Sequence, residues 1–174
     1  MSKTNNIILI GMMGAGKTTI GKSLANYLNK TFIDSDHEIQ KRTGVTIPII
    51  FEIEGESGFR KRETCMLNEL LRTDNIVLAT GGGIILSEEN RNLLKTKGTI
   101  IYLRATVNEL WQRTRHDRNR PILQTKNLKS KLTELYEKRD PIYHEIAHLV
   151  IESGKQSIHH MVKSIALQLS NYTN

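Results

Sequence analysis

Gly11-Met12-Met13-Gly14-Ala15-Gly16-Lys17-Thr18-Thr19 is the stretch whose reading decides the fold. It follows Ile7-Ile8-Leu9-Ile10, a short branched apolar run suited to a buried strand. It leads into Ile20, Leu24, Tyr27 and Leu28, which recur at helical spacing. Strand, then G-x-x-x-x-G-K-[ST], then helix is the context of a phosphate-binding P-loop. The glycines let successive backbone N–H groups turn toward one anion, and the helix N-terminus adds its positive dipole end. In such a loop Lys17 reaches the outer phosphates and the Thr18 hydroxyl coordinates Mg²⁺.

Outward from the loop, short apolar runs alternate with helical patterns, which predicts an α/β fold with a parallel sheet. Thr31-Phe32-Ile33-Asp34 reads as a second strand ending in an acid, and Ser35 with Glu38 as a capping box that starts a helix at Asp36. Pro48 interrupts residues 45–53, where short irregular helical pieces are expected. A longer helix is predicted over residues 59–72, with Met66, Leu67, Leu70 and Leu71 on its core face. Residues 76–79 form the next buried strand, broken by Gly81-Gly82-Gly83, and a helix follows over 87–97. Residues 99–103 are a strand, and Thr106 with Glu109 caps a helix whose apolar stripe is Val107, Leu110, Trp111 and Thr114; Trp111 is read as packing. Residues 115–125 carry several arginines and no apolar period, and read as a mobile loop. A helix over 128–139 is expected to stop at Asp140-Pro141. A last strand at 149–151 precedes a closing helix lined by Ile158, Met161, Val162, Ile165 and Leu169.

At 174 residues the chain is read as one domain, 1–174, large enough to bury a core without staples. The single cysteine, Cys65, excludes an internal disulfide, fits a reducing compartment, and is expected to be buried among its apolar neighbours. No apolar run approaches membrane-spanning length and no signal-peptide pattern is present, so a soluble cytoplasmic protein with no membrane partner is expected. The net charge of +7 suits anionic partners. Aromatic content of 5% and the lack of a nucleic-acid-binding motif favour small anions over nucleic acid.

Several chemistry-bearing groups fall at the carboxyl ends of predicted strands, the edge where open α/β sheets bind ligands. Asp34 and Asp36, one residue apart, suit two tasks: holding a metal-bound water, and accepting a proton from a substrate hydroxyl. Three consecutive glycines after a buried strand are costly unless the backbone must approach a ligand closely; an ordinary tight turn is the alternative. Arg60, the cluster Arg113, Arg115, Arg118 and Arg120, and Arg139 are candidate grips for carboxylate or phosphate. Solvated surface charge is the default for Arg60, in the first turn of its helix, and Arg139 is welcome at a helix C-terminus on dipole grounds alone. Sequence spacing does not bring these arginines together.

The P-loop, Asp34-Ser35-Asp36, Phe59-Arg60 with Glu63, Gly81-Gly82-Gly83, Arg120-Pro121 and Arg139-Asp140-Pro141-Ile142-Tyr143 occur in an order that closely resembles the bacterial shikimate kinases. The similarity runs from about Asn6 to Leu169. The resemblance implies a three-layer α/β/α fold of the P-loop nucleoside-monophosphate-kinase kind. It would have a five-stranded parallel sheet, a lid at about 115–125 and a substrate-binding region at about 35–62. It implies transfer of the ATP γ-phosphoryl group to the 3-hydroxyl of shikimate, with one Mg²⁺ per subunit, in a monomer. On the same resemblance Gly14, Ala15, Gly16, Lys17, Thr18, Thr19, Arg113, Arg120 and Gln156 bind ATP. Asp36, Arg60, Gly81, Gly82, Gly83 and Arg139 bind shikimate. Lys17, Asp36 and Arg120 are catalytic, and the metal is held by Thr18 and, through water, Asp34. Two features depart from the pattern: residues 153–158 lack the proline of several relatives' adenine loop, and Met12-Met13 stand where some have proline or leucine first. Alternatives are another small-metabolite kinase of this fold, such as a gluconate kinase, a nucleotide-dependent nucleic-acid binder, and a nucleotide-binding module without turnover.

Overall fold

The computed structural model describes residues 5–173; residues 1–4 and 174 of the expected domain, and part of the N-terminal segment read for a signal peptide, lie outside them. Five strands, β1 (Ile7–Ile10), β2 (Thr31–Asp34), β3 (Ile76–Ala79), β4 (Thr99–Arg104) and β5 (Leu149–Glu152), form one sheet in the order β2-β3-β1-β4-β5, every pairing parallel. In register, Ile8 lies between Leu78 and Ile100. Every residue of β1 and β3 is buried, as parallel strands covered on both faces require.

Seven α-helices are described: α1 (Lys17–Tyr27), α2 (Ser35–Thr43), α3 (Ile47–Leu70), α4 (Glu88–Lys97), α5 (Val107–Thr114), α6 (Leu128–Ile146) and α7 (Ile158–Thr173). α1 and α7 pack on each other, with α1 against β1, β2 and β3, while α4 and α6 meet β4 and α3 packs on α4. The α/β architecture with a five-stranded parallel sheet is therefore as expected, and the expected capping box at Thr106 and Glu109 is complete. Trp111 packs against the core as expected. Among the described residues, no helix is long and apolar enough to cross a membrane.

Four local expectations are corrected. Asp34, not Ser35, caps α2: its Oδ1 accepts the His37 N–H at 3.1 Å, and Ser35 is the first helical residue, buried. Residues 45–53 are not irregular, because Pro48 sits in the first turn of α3, where a missing N–H costs nothing. The free N–H of Ile47 there is capped instead by Gln40 Oε1 at 3.0 Å. The break comes at Gly55, whose φ of 69° and ψ of −178° kink α3 into two halves. α6 runs through Asp140-Pro141 to Ile146. A proline inside a helix costs about 3 kcal/mol. Burying Tyr143 and Ile146 returns roughly 2 kcal/mol or more each. The Tyr143 hydroxyl also donates to the Gly82 carbonyl at 2.5 Å. Lastly, Cys65 is exposed. The buried face of α3 is Phe59, Glu63, Met66 and Leu67, and Cys65 points away from it.

Candidate active site

Two cavities meet at the carboxyl ends of β1, β2 and β3. The first, about 450 Å³, is the mouth of the P-loop, lined by Gly14, Gly16, Lys17, Thr18 and Thr19 with Asp34, Asp36, Gln40, Arg113 and Arg120. Gly16 stands at φ 96° as the residue before α1, a left-handed turn that aims the first helical N–H groups into the cavity. Lys17 is buried and donates to the carbonyls of Gly11 at 2.7 Å and Met12 at 2.9 Å. Burial, with the nearby Arg120 charge, pulls its ammonium down to about 7. The Thr18 hydroxyl donates to Asp34 Oδ2 at 2.7 Å. Ala15 is buried and its N–H is held within the loop by the Met12 carbonyl at 3.1 Å.

The second cavity, about 260 Å³, is walled by Phe51, Phe59, Ile47, Met13 and Ile122, with Arg60, Glu63, Arg139 and Gly81-Gly82-Gly83 at its polar end. Asp36, Gln40 and Arg120 line both cavities. Each wall has a local cause. α2 starts at Ser35 under the Asp34 cap, which sets Asp36 one residue inside the helix. α3 brings Arg60 and Glu63 together one turn apart, with Arg60 Nη1 on Glu63 Oε1 at 2.9 Å and Nη2 on Glu56 at 3.2 Å. α6 is held to β4 through Asp140, whose Oδ1 accepts from Tyr102 at 2.7 Å and Arg104 at 3.0 Å, and the adjoining Arg139 is buried.

The glycines are explained by crowding. A Cβ on Gly83 would strike the Arg60 guanidinium, and one on Gly81 would lie 2.8 Å from Glu63 Oε2 and 2.9 Å from Asp36 Oδ1. The backbone therefore runs directly against the charged groups, which a tight turn alone does not require. Around this cavity Asp36 Oδ1, Arg60 Nε, Glu63 Oε2 and Arg139 Nη1 are all buried with no hydrogen-bond partner. Buried polar atoms are nearly always paired, and four orphans of both signs on residues that line one cavity mark a polar ligand site. Burial, and behind it the charge of Asp34, raises the Asp36 carboxyl above the usual carboxylate range. Burial pushes Glu63 up to about 7, with Arg60 pulling the other way.

Residues far apart in sequence are thus gathered: Lys17, Asp36, Arg60, Arg120, Arg139 and the three glycines line two adjoining spaces. Arg120 is paired with Asp117, Nε to Oδ2 at 2.9 Å, and Arg115 stacks on Trp111 with its guanidinium carbon 5.3 Å from the ring centre. Arg113 bonds the carbonyls of Gly14 at 3.0 Å and Ser153 at 2.8 Å, tying the P-loop to the turn after β5. Gln156 lies exposed in that turn and lines neither cavity. Sequence reasoning did not single out Gln40 and gave Glu63 no site role, though both line the second cavity. Glu63 had a signal: a lone acid on the apolar face of a helix.

The shikimate kinase family model matches residues 13–170. The shikimate kinase of Nitrosospira multiformis is 62% identical over 167 residues, covering 96% of this chain and 86% of that one. The structure of the Acinetobacter baumannii shikimate kinase in complex with shikimate superimposes with a TM-score of 0.94 at 50% identity, over 98% of this chain and 95% of the other. A gluconokinase from Sinorhizobium meliloti, at 14% identity and a TM-score of 0.63 over 97% and 93% of the two chains, shares the fold alone. Sequence, fold and the gathered charges agree, and the chain belongs to the shikimate kinase family.

Proposed function

We propose that the chain transfers the γ-phosphoryl group of ATP to the 3-hydroxyl of shikimate, giving shikimate 3-phosphate and ADP on the route to chorismate and the aromatic amino acids. The observation that carries the reading is the ring of unpartnered buried polar atoms, Asp36 Oδ1, Arg60 Nε and Arg139 Nη1 among them, adjoining the P-loop cavity. A small hydroxylated carboxylate supplies what those atoms lack: an anion for the two guanidinium groups and a hydroxyl for the carboxylate. The apolar wall of Phe51 and Phe59 suits a carbon ring.

In this reading the triphosphate lies along Gly14, Gly16, Thr18 and Thr19, and Ala15 contributes to the same loop. Its charge draws Lys17 off the Gly11 and Met12 carbonyls and keeps the ammonium protonated. Thr18 and Asp34 fit Mg²⁺, since they are hard oxygen donors already in contact at the loop mouth. Bound there, the ion would neutralise charge on the phosphate oxygens. Arg60 and Arg139 hold the acceptor's carboxylate, and the Gly82 N–H and its neighbours Gly81 and Gly83 shape the floor. Asp36 accepts a hydrogen bond from the reacting hydroxyl. The alcohol oxygen bonds to the γ-phosphorus, the bond to the β–γ bridging oxygen breaks, and the hydroxyl proton passes to Asp36. Phosphoryl transfer needs alignment and charge compensation more than covalent chemistry, which these residues supply.

Residues 115–125 act as the lid and residues 35–62 as the acceptor-binding region of a single 1–174 domain. Both cavities are built by one chain, which supports a monomer. An exposed free thiol at Cys65 suits a reducing, cytoplasmic setting. In this reading Arg113 and Gln156 meet the adenine end of ATP. Within the lid Arg120 pairs with Asp117 and Arg115 stacks on Trp111, while Arg118 is exposed.

A coupled assay of ADP release tests the function. Release is expected to require shikimate and to be absent with gluconate; release that ignores shikimate overturns the proposal. Arg120→Ala is expected to lower kcat by about 10²–10³-fold, the scale for losing one donor aimed at developing charge. Single-turnover kinetics check this, and a variant defective only in shikimate affinity would place Arg120 outside the phosphoryl-transfer step.

A further inference from the structure

Gln40 lines both cavities but has no part in the transfer itself. It stands four residues after Asp36 on α2, so the two side chains share one face of that helix. Its Oε1 accepts the Ile47 N–H at 3.0 Å. Ile47 opens α3, whose first half supplies Ile47 and Phe51 to the wall of the acceptor cavity. That half has few other directional anchors. Thr46, just before the helix, makes no side-chain cap bond, and Pro48 has no N–H to offer. At Gly55 the helix breaks, so no continuous backbone ladder carries the first half in line with the second. Glu54 reaches over the break to Arg62 Nε at 2.8 Å, but this pair is open to solvent and therefore weak. Ile50 packs into a small core with Ile39, Phe59 and Met66, and the Phe51 and Phe59 rings meet at 4.9 Å between centres. Apolar packing of this kind holds the half-helix down without fixing its register, because it is non-directional. The Gln40 bond supplies the direction.

We propose that Gln40 is a positioning residue for the acceptor: by capping α3 it fixes how far the wall of Ile47 and Phe51 stands from Asp36. The inference rests on the acceptor assignment above. One face of α2 then sets both limits of the acceptor's place, the carboxylate that meets the hydroxyl and, one turn on, the wall against which the ring lies. Without the cap oxygen the Ile47 N–H must turn to water, the first turn of α3 frays, and Phe51 loses its place against the ring. The nucleotide is largely spared, because neither Ile47 nor Phe51 lines the P-loop cavity.

The test is the steady-state kinetics of Gln40→Met, which keeps the length of the side chain and lacks the oxygen. The KM for shikimate is expected to rise by roughly 3- to 30-fold, the span of a lost helix cap, with smaller changes in kcat and in the KM for ATP. Amide exchange at Ile47, followed by NMR, should quicken in Gln40→Met and stay slow in Gln40→Glu, which retains a cap oxygen. The double variant with Phe51→Ala decides whether Gln40 acts through the wall. Its effect on the shikimate KM should largely vanish once Phe51 is cut back, whereas independent effects that multiply overturn the proposal. A shikimate KM in Gln40→Met equal to that of the wild-type chain, or unchanged Ile47 exchange, overturns it while leaving the acceptor assignment intact. A larger rise in the KM for ATP than for shikimate makes Gln40 a nucleotide contact and also overturns it. If turnover by the wild-type chain ignores shikimate, the acceptor assignment falls and this proposal with it. Should Gln40→Met not fold, Gln40→Asn, whose amide falls one methylene short of Ile47, carries the same test.

Discussion

Asp36→Asn is expected to lower kcat by at least ~100-fold while leaving ATP affinity nearly unchanged, the scale for removing a positioned proton acceptor. The substitution keeps the shape of the side chain and replaces an anionic oxygen with an amide. Asp36 Oδ1 is enclosed and unpaired, and burial disfavours its ionised form. A neutral isostere relieves that cost, so the variant should melt at the same temperature as the wild-type chain or higher. Loss of turnover together with retained or raised Tm separates a chemical role from a folding one. Unchanged turnover would remove Asp36 from the mechanism.

Arg139→Ala should have the largest effect on acceptor affinity. Arg139 is 2% exposed, its Nη1 has no partner, and it lies against Gly82 at the floor of the acceptor cavity. Removing one partner of a desolvated charge pair costs about 2–4 kcal/mol, which corresponds to roughly 30- to 1,000-fold in Kd. Arg139→Lys should restore only part of this, because a lysine keeps the charge but not the planar fork. The KM for ATP should stay within a few-fold, since Arg139 does not line the P-loop cavity. Equal shikimate affinity in Arg139→Ala and wild type, measured by equilibrium titration, would contradict the clamp.

Much of this was legible in the chain because local chemistry and tertiary structure point the same way. The P-loop is a contiguous anion cradle, so its glycines, Lys17 and Thr18 declare themselves without the rest of the fold. β1 and β3, buried on both faces, read as unbroken apolar runs, and the bounds expected for all five strands fall within a residue of those seen. Failures came where a local signal has two physical outcomes. Pro48 breaks a helix interior but is harmless in a first turn, and only the Gln40 side chain waiting for the Ile47 N–H shows which applies. Asp140-Pro141 looks like a stop, yet Tyr143 and Ile146 have enough surface to bury beyond it. Glu63 stood in the Phe59-Arg60 motif with no role of its own, and solvated charge was the default for its neighbour Arg60. The burial of Glu63 depends on α3 meeting the glycine run and α6, contacts that no spacing in the chain reports. Cys65 failed for a simpler reason: it stands beside apolar residues in sequence but off their face of the helix.

Asp36, Gln40 and Arg120 belong to both cavities. They form a party wall between two rooms, with no neutral layer behind it. A change in the bulk of that wall, unlike the isosteric Asp36→Asn, must register in the kinetics of both substrates at once, whereas Phe51 or Thr18 furnishes a single room. An inhibitor built to press on the wall would therefore compete with nucleotide and acceptor together, and supplying more of either one would displace it.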